Sequence, residues 1–404
     1  MLSFEQAREK VIEVAAGLRR APATETVGLL DALGRILAEP VIADRDYPPF
    51  HRSTRDGFAV RASDLTTVGR TLEIFGEIKA GDSFSGEIRP GQCMQIMTGA
   101  AVPPGADAVV MIEHTKPSKG QVLFERTADA GQNVVAKGSE ARTGQTLLVP
   151  GTRLGYPELA NAAQVGRTKL AVAKKPRVAI LSTGDEVVLV GQTPGPFQIR
   201  NSNSVSLGAQ VSLAGGEPLL LGNAADRVED LRKKIEKGLD ADVLILSGGV
   251  SMGKYDLVET VLRDLGTEFH FDAVEIRPGR PAVFGTCGGK LVFGLPGNPV
   301  STMVTFELFV PPVIDLLGGA QPRPLPLFRA RLEAPVQLKA ALTHFLPARI
   351  EWGSGGPSVR ELPWKGSGDI VALGQANAYL VVRPEKLELA AGEYAEVLPR
   401  RGVF

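Results

Sequence analysis

Apolar residues recur at Phe4, Ala7, Val11, Val14, Ala15 and Leu18, the spacing of one helix face, and Ser3 stands where an N-cap would be. This predicts an amphipathic helix over residues 3–20. A second short helix is expected across Thr26 to Ala38. From Asp44 to Arg142 the pattern shortens to β-type runs, LEIFGEI, QCMQIM, DAVVMIE and QVLFER, separated by Gly, Pro and Asp turns. Between Lys174 and Gly318 it changes again. The runs RVAILS, EPLLLG and DVLILS alternate with helical stretches around Ser204 to Leu213 and Asp226 to Leu239, the second placing Val228, Leu231, Ile235 and Leu239 on one face. Strand and helix alternation predicts a mostly parallel sheet covered on both sides. Beyond Pro322-Arg323-Pro324 the segments are β-type to the end. The expected fold is multidomain, α/β plus β: residues 1–22 and 174–320 form the α/β domain, 23–43 and 143–173 a linking domain, 44–142 a β-rich domain and 321–404 a small C-terminal β domain.

Composition narrows the function. The 404 residues carry 45 Lys plus Arg and 45 Asp plus Glu, so no net field recruits nucleic acid or an acidic membrane surface. Cys93 and Cys287 lie in separate apolar surroundings without a C-x-x-C pair, which suits a reducing compartment and excludes a thiolate zinc cage. His51, His114, His270 and His344 are scattered, with none at metal-ligand spacing from another. The N-terminal stretch lacks a signal-peptide core, and no uninterrupted apolar run approaches the ~18 residues of a membrane span. A soluble, cytoplasmic protein is expected.

In open α/β sheets ligands bind outside the carboxyl ends of the strands. Two loops there are polar and glycine-rich. Ser182-Thr183-Gly184-Asp185-Glu186 follows RVAIL, and SGGVSMGKYD, residues 247–256, follows DVLIL. Glycines let backbone N–H groups approach an anion, and a helix start adds a favourable dipole. GGVSMGKY comes within one residue of the phosphate-cradling P-loop. Tyr255 is the misfit: a P-loop needs a Ser or Thr hydroxyl on Mg²⁺ directly after Lys254, and a phenol on a rigid ring cannot take that place. Asp256 is the candidate metal ligand instead, and the loop reads as phosphate-binding without NTPase chemistry.

STGDE at 182–186, SGGVSMGKYD at 247–256, RPGRP at 277–281 and LPGNPVS at 295–301, in that order and spacing, closely resemble the molybdopterin molybdenumtransferase family, the bacterial counterpart of the gephyrin E domain. DYPPFHRSTRDGFAVRASDL at 46–65 and IMTGAAVPPGADAVVMIE at 96–113 resemble the family's β-rich domain, so the likeness covers nearly the whole chain. It implies a reaction in which adenylylated molybdopterin and molybdate give molybdenum cofactor and AMP with Mg²⁺ or another divalent metal. It also implies a homodimer in which residues 44–142 complete the site of the partner subunit. A molybdopterin adenylyltransferase is a further candidate partner. Neither nucleic acid nor membrane is expected.

By position, Asp56, Thr98, Glu186 and Asp256 match the family's catalytic places. The resemblance implies a metal held by Glu186 and Asp256, with Glu140 standing where the family usually has aspartate. Substrate would be met by Ser182, Thr183, Gly184, Ser247, Gly248, Gly249, Ser251 and Asp226, together with Pro296, Gly297, Asn298 and Pro299. Arg277, Arg280 and Arg349 would face molybdate; the first two replace the family's common lysines, turning a point donor into a planar fork. RSTRDGFAV departs from the usual NSAMDGYAV and sets Arg55 beside Asp56, where it could lower that acid's pKa or hold it in an ion pair. Two other readings stand beside this one: an adenylyltransferase or nucleotide hydrolase working through the α/β domain alone, and an inactive scaffold of the gephyrin kind.

Overall fold

A computed structural model gives the architecture; it describes residues 1–249 and 257–403. Ser251 and Asp256 lie outside the described residues, as does the 250–256 part of the phosphate loop. The chain divides into two units, Met1–Thr26 with Gly34–Ala38 and Ala171–Phe404, and Val27–Leu33 with Glu39–Leu170.

The first unit is built on a six-stranded sheet ordered Glu217–Ala224, Arg177–Thr183, Val243–Ser247, Lys290–Leu295, Val283–Cys287, Glu268–Phe271. The first four run parallel; Val283–Cys287 runs against them, and Glu268–Phe271, antiparallel to it, runs with them again. Alternation along each strand feeds two cores. Val178, Ile180, Val243 and Ile245 join a cluster that takes in Leu207 and Val211 of the helix Ser202–Ala214, Val300 and Val304 of the helix Pro299–Phe309, and Phe4 and Val11 of the helix Phe4–Gly17. Ala179, Leu181, Leu244 and Leu246 pack instead with Leu231, Ile235, Val258 and Val261 of the helices Val228–Gly238 and Leu257–Asp264. Both faces are thus covered, as the strand and helix alternation predicts.

The N-terminal helix starts as read. The Ser3 hydroxyl accepts from the Gln6 N–H while the Gln6 side chain accepts from the Ser3 N–H, a reciprocal cap. The helix expected across Thr26 to Ala38 is not formed: Thr24–Gly28 is a strand and Leu30–Ala32 a single 3₁₀ turn. The β-branched TETV run favours a strand, and Leu30 at 88% and Leu33 at 60% exposure leave no apolar face for a helix to bury. Val228, placed on the buried face of its helix by spacing, is 43% exposed because it opens the first turn.

In the C-terminal part, Thr343–Gly353, Gly356–Glu361, Phe328–Leu332, Tyr394–Pro399 and Ala378–Val382 pair in that order, and the last pairs back onto the first, closing a barrel. Its interior is filled by Ala330, Leu332, Leu346, Ile350, Val359, Leu380 and Val397. Among the described residues no single helix is long and apolar enough to cross a membrane. The bent pair Pro299–Phe309 and Pro311–Leu317 passes by length and composition, but its side chains are largely buried in the first core.

The second unit carries a six-stranded sheet ordered Ala108–Met111, Gly57–Val60, Gln92–Ile96, Thr71–Ile78, Gln121–Phe124, Thr115–Ser118. The four β-type runs read from the sequence all appear in it.

Candidate active site

The chain leaves the strand Arg177–Thr183 toward the edge strand Glu217–Ala224 and then returns past it to Val243–Ser247, so the winding direction reverses at that strand. Such a reversal opens a crevice at the carboxyl ends. The register aligns those ends, with Ser182 beside Ser247 and Ser247 beside Leu295. Three loops therefore leave the sheet at one level. A cavity of about 670 Å³ lies between them. The first loop lines it with Ser182, Thr183, Gly184 and Glu186, and the second with Ser247, Gly248 and Gly249. The third contributes Pro296, Gly297, Asn298 and Pro299, while Asp226 stands at the rim. These candidates, spread over more than a hundred residues of sequence, are brought together.

Local chemistry explains the shape. Gly248 and Gly249 have φ of +95° and +64°, and a Cβ on them would lie 3.1 and 2.8 Å from the Thr183 hydroxyl oxygen. Only glycine lets the second loop close over the first. The Gly248 N–H is taken by the Leu295 carbonyl at 3.1 Å, and the Gly184 N–H by the Ala224 carbonyl at 3.2 Å. Asn223 donates to the carbonyls of Gly184 and Val187 at 2.7 and 3.2 Å, holding the STGDE loop in place. The Ser182 hydroxyl donates to Asn201 Oδ1 at 3.0 Å and lies 2.9 Å from Ser204 Oγ. Its hydrogen is thus engaged within the protein. The Thr183 hydroxyl is buried without a partner among the described residues.

The rim is acidic. The Asp226 N–H donates to Asp185 at 3.1 Å. Partial withdrawal from water, followed by the charges of Asp185 and Glu186, pushes the Asp226 carboxyl above its ordinary value. Crowded hard oxygen donors of this kind suit a divalent cation. Among the described residues no three His, Cys, Asp or Glu side chains converge closely enough to form a complete metal cage.

The arginines lie apart from this lining. Arg277 is exposed on a two-residue strand paired with Thr343–Gly353, and Arg280 is exposed directly before Pro281, which does line the cavity. Arg349 is exposed on the barrel, 3.5 Å from Glu351 and opposite Arg360 across the strands.

In the second unit, Gly57 pairs with Ile96, so Asp56 and Thr98 at the adjoining strand ends meet. Asp56 Oδ1 accepts from the Thr98 N–H at 2.6 Å and its hydroxyl at 2.8 Å. These two bonds hold the carboxyl below its ordinary value. Arg55 forms no ion pair with Asp56 among the described residues; the neighbour that depresses the Asp56 carboxyl is Thr98. Glu140 is engaged by Arg52 at 3.0 Å.

Sequence reasoning passed over Asn203, Gly368 and Ile370, all in the cavity wall. For Asn203 a signal existed: N-S-N-S before an apolar helical stretch is cap chemistry, and Asn201 does cap the helix, accepting from the Ser204 N–H at 3.0 Å. Gly368 and Ile370 arrive from the C-terminal segment with no local cue.

The family described as "MoeA N-terminal region (domain I and II)" matches residues 2–166, "Probable molybdopterin binding domain" matches 179–315, and "MoeA C-terminal region (domain IV)" matches 329–399. A molybdopterin molybdenumtransferase of Nostoc sp. is 37% identical over 392 residues, covering 93% of this chain and 88% of its own. The chain belongs to the MoeA family. A Bacillus subtilis member named molybdopterin molybdenumtransferase is 35% identical over 385 residues, covering 93% of this chain and 89% of its own. The MoeA structure from Pyrococcus horikoshii superposes with a TM-score of 0.83 at 28% identity, covering 99% of this chain and 100% of that one.

Proposed function

We propose that this MoeA-family transferase of molybdenum cofactor biosynthesis inserts molybdate into adenylylated molybdopterin and releases AMP. The observation that carries this reading is the 670 Å³ cavity at the strand carboxyl ends, which combines glycine-rich loops with a carboxylate rim. Breaking a pyrophosphate-type bond while loading an oxyanion calls for anion donors and acids in one cleft. Gly249, Gly297 and Asn298 donate their N–H groups to no protein acceptor among the described residues, which leaves them for phosphate oxygens. Glu186 and Asp256 would hold Mg²⁺ or another divalent metal, a role the crowded acids of the rim suit. Such a metal, when bound, neutralises charge on the breaking bond. Arg277, Arg280 and Arg349 would attract molybdate. Asp56 and Thr98 would serve the cavity of a second copy in a homodimer, and a molybdopterin adenylyltransferase would supply the substrate. A cytoplasmic setting fits two buried cysteines that remain free thiols.

The test is AMP release from adenylylated molybdopterin by the purified protein with Mg²⁺, with and without molybdate. Molybdate-dependent AMP release is expected. ATP turnover without molybdate would favour the nucleotide-hydrolase reading, and no turnover of either substrate would favour the scaffold.

A further inference from the structure

Asn203 sits in the first turn of the helix Ser202–Ala214, and its amide joins the walls of the cavity. Nδ2 donates to Ser247 Oγ at 2.9 Å and to the Gly297 carbonyl at 2.8 Å, with Thr302 Oγ1 farther off at 3.4 Å. A backbone carbonyl only accepts, so the Gly297 contact fixes which end of the amide is nitrogen. Thr302 reinforces this: its hydroxyl is directed at the carbonyls of Pro296 and Asn298, so toward Asn203 it presents a lone pair. Both amide hydrogens are engaged, and Oδ1 is buried without a partner among the described residues.

The consequence falls on Ser247. Its oxygen accepts from Asn203, so its own hydrogen must point elsewhere, and no acceptor among the described residues takes it. Ser247 lines the cavity at the end of its strand. Its neighbour in register, Ser182, is in the opposite condition, with its hydrogen donated to Asn201. Of two serines side by side at the strand ends, one hydroxyl is closed by the protein and the other is held open as a donor.

We propose that Asn203 is a positioning residue which, by donating to Ser247 Oγ and the Gly297 carbonyl, directs the Ser247 hydroxyl as a hydrogen-bond donor to a phosphate oxygen of the substrate. This rests on the reading of the cavity as the site for a phosphate-bearing pterin. It goes beyond that reading by assigning the direction of one proton and the residue that sets it. The amide does not touch the reacting atoms; it acts through Ser247.

The test uses Asn203→Ala, Asn203→Asp, Ser247→Ala and the double variant Asn203→Ala with Ser247→Ala. KM and kcat are measured for both substrates, AMP binding by calorimetry, and folding by melting temperature. Losing one hydrogen bond to a charged phosphate raises KM for adenylylated molybdopterin ~10-fold and weakens AMP by a similar factor. KM for molybdate is expected to stay unchanged. The double variant should be no worse than Ser247→Ala, since both substitutions remove the same bond. Asn203→Asp keeps the shape but has no hydrogen to donate and accepts the Ser247 proton instead, so it should impair AMP binding at least as much while folding normally. Additive losses in the double variant, or AMP binding unchanged in a folded Asn203→Asp protein, would overturn the proposal. Should the wild type release no AMP on molybdate addition, the functional reading fails, while AMP calorimetry still decides the role of Asn203.

Discussion

The carboxyl of Asp56 is held below its ordinary value by one neighbour, Thr98. Thr98 gives it a backbone N–H and a hydroxyl on the same oxygen, Oδ1, leaving Oδ2 without a partner among the described residues. A carboxyl whose folded-state pKa is depressed contributes stability that is present above its unfolded pKa and lost as pH falls through the folded value. Thr98→Val removes the hydroxyl but keeps the N–H. The Asp56 titration, followed by carbon NMR, should therefore move part of the way back toward the ordinary carboxylate value. Acid unfolding should begin at a correspondingly higher pH, and an unmoved titration would refute this account. At this scale much of the site was legible, because Gly, Pro and acids punctuate STGDE and LPGNP where chain reversals and anions require them. Asn203 was not, since its importance lies in partners at positions 247 and 297 that only the fold brings near.

Elements follow the same division between local and distant causes. The strands RVAILS and DVLILS were legible because a sheet buried on both faces needs continuous apolar runs, and these are that. The segment Thr26 to Ala38 misled because its leucines suggest a helix face, yet Leu30 and Leu33 are exposed while the buried residues Ala32, Ile36 and Leu37 do not form a helical stripe with them. Gly57 shows how one residue can fix an element. It opens the strand Gly57–Val60, and a Cβ there would lie 1.9 Å from the Val110 carbonyl oxygen of the paired strand. Gly57→Ala must push the two strands apart at the point where Asp56 is aimed at Thr98. A loss of about 3 kcal/mol is expected, at the upper end for overpacking. Denaturant unfolding followed in this variant checks it, and a loss within the scatter of surface substitutions would show that the strands separate freely.

For the molecule as a whole, the predicted homodimer is the property with most bearing on function, since Asp56 and Thr98 belong to one unit and the cavity to the other. Sedimentation at micromolar concentration should show a dimer. A monomer with full molybdate-dependent AMP release would refute the proposal that a second copy supplies these residues. The organisation into an α/β sheet, a β-rich sheet and a terminal barrel was legible from changes in apolar period. Closure of the barrel was not, because it depends on Thr343–Gly353 pairing on both sides.

The order of the chain through its units bears on how the protein is made. The helix Phe4–Gly17 buries Phe4, Ala7, Val11 and Ala15 in a core whose other members come from beyond residue 171. A ribosome adding 5–20 residues per second needs roughly 8 to 30 s to reach that stretch. Throughout this interval the helix is synthesised but has nothing to pack against, whereas Glu39–Leu170, all from one continuous stretch, can fold as it emerges. The nascent chain therefore carries an orphaned sticky face until the sheet arrives, open to misassociation for the whole of that interval.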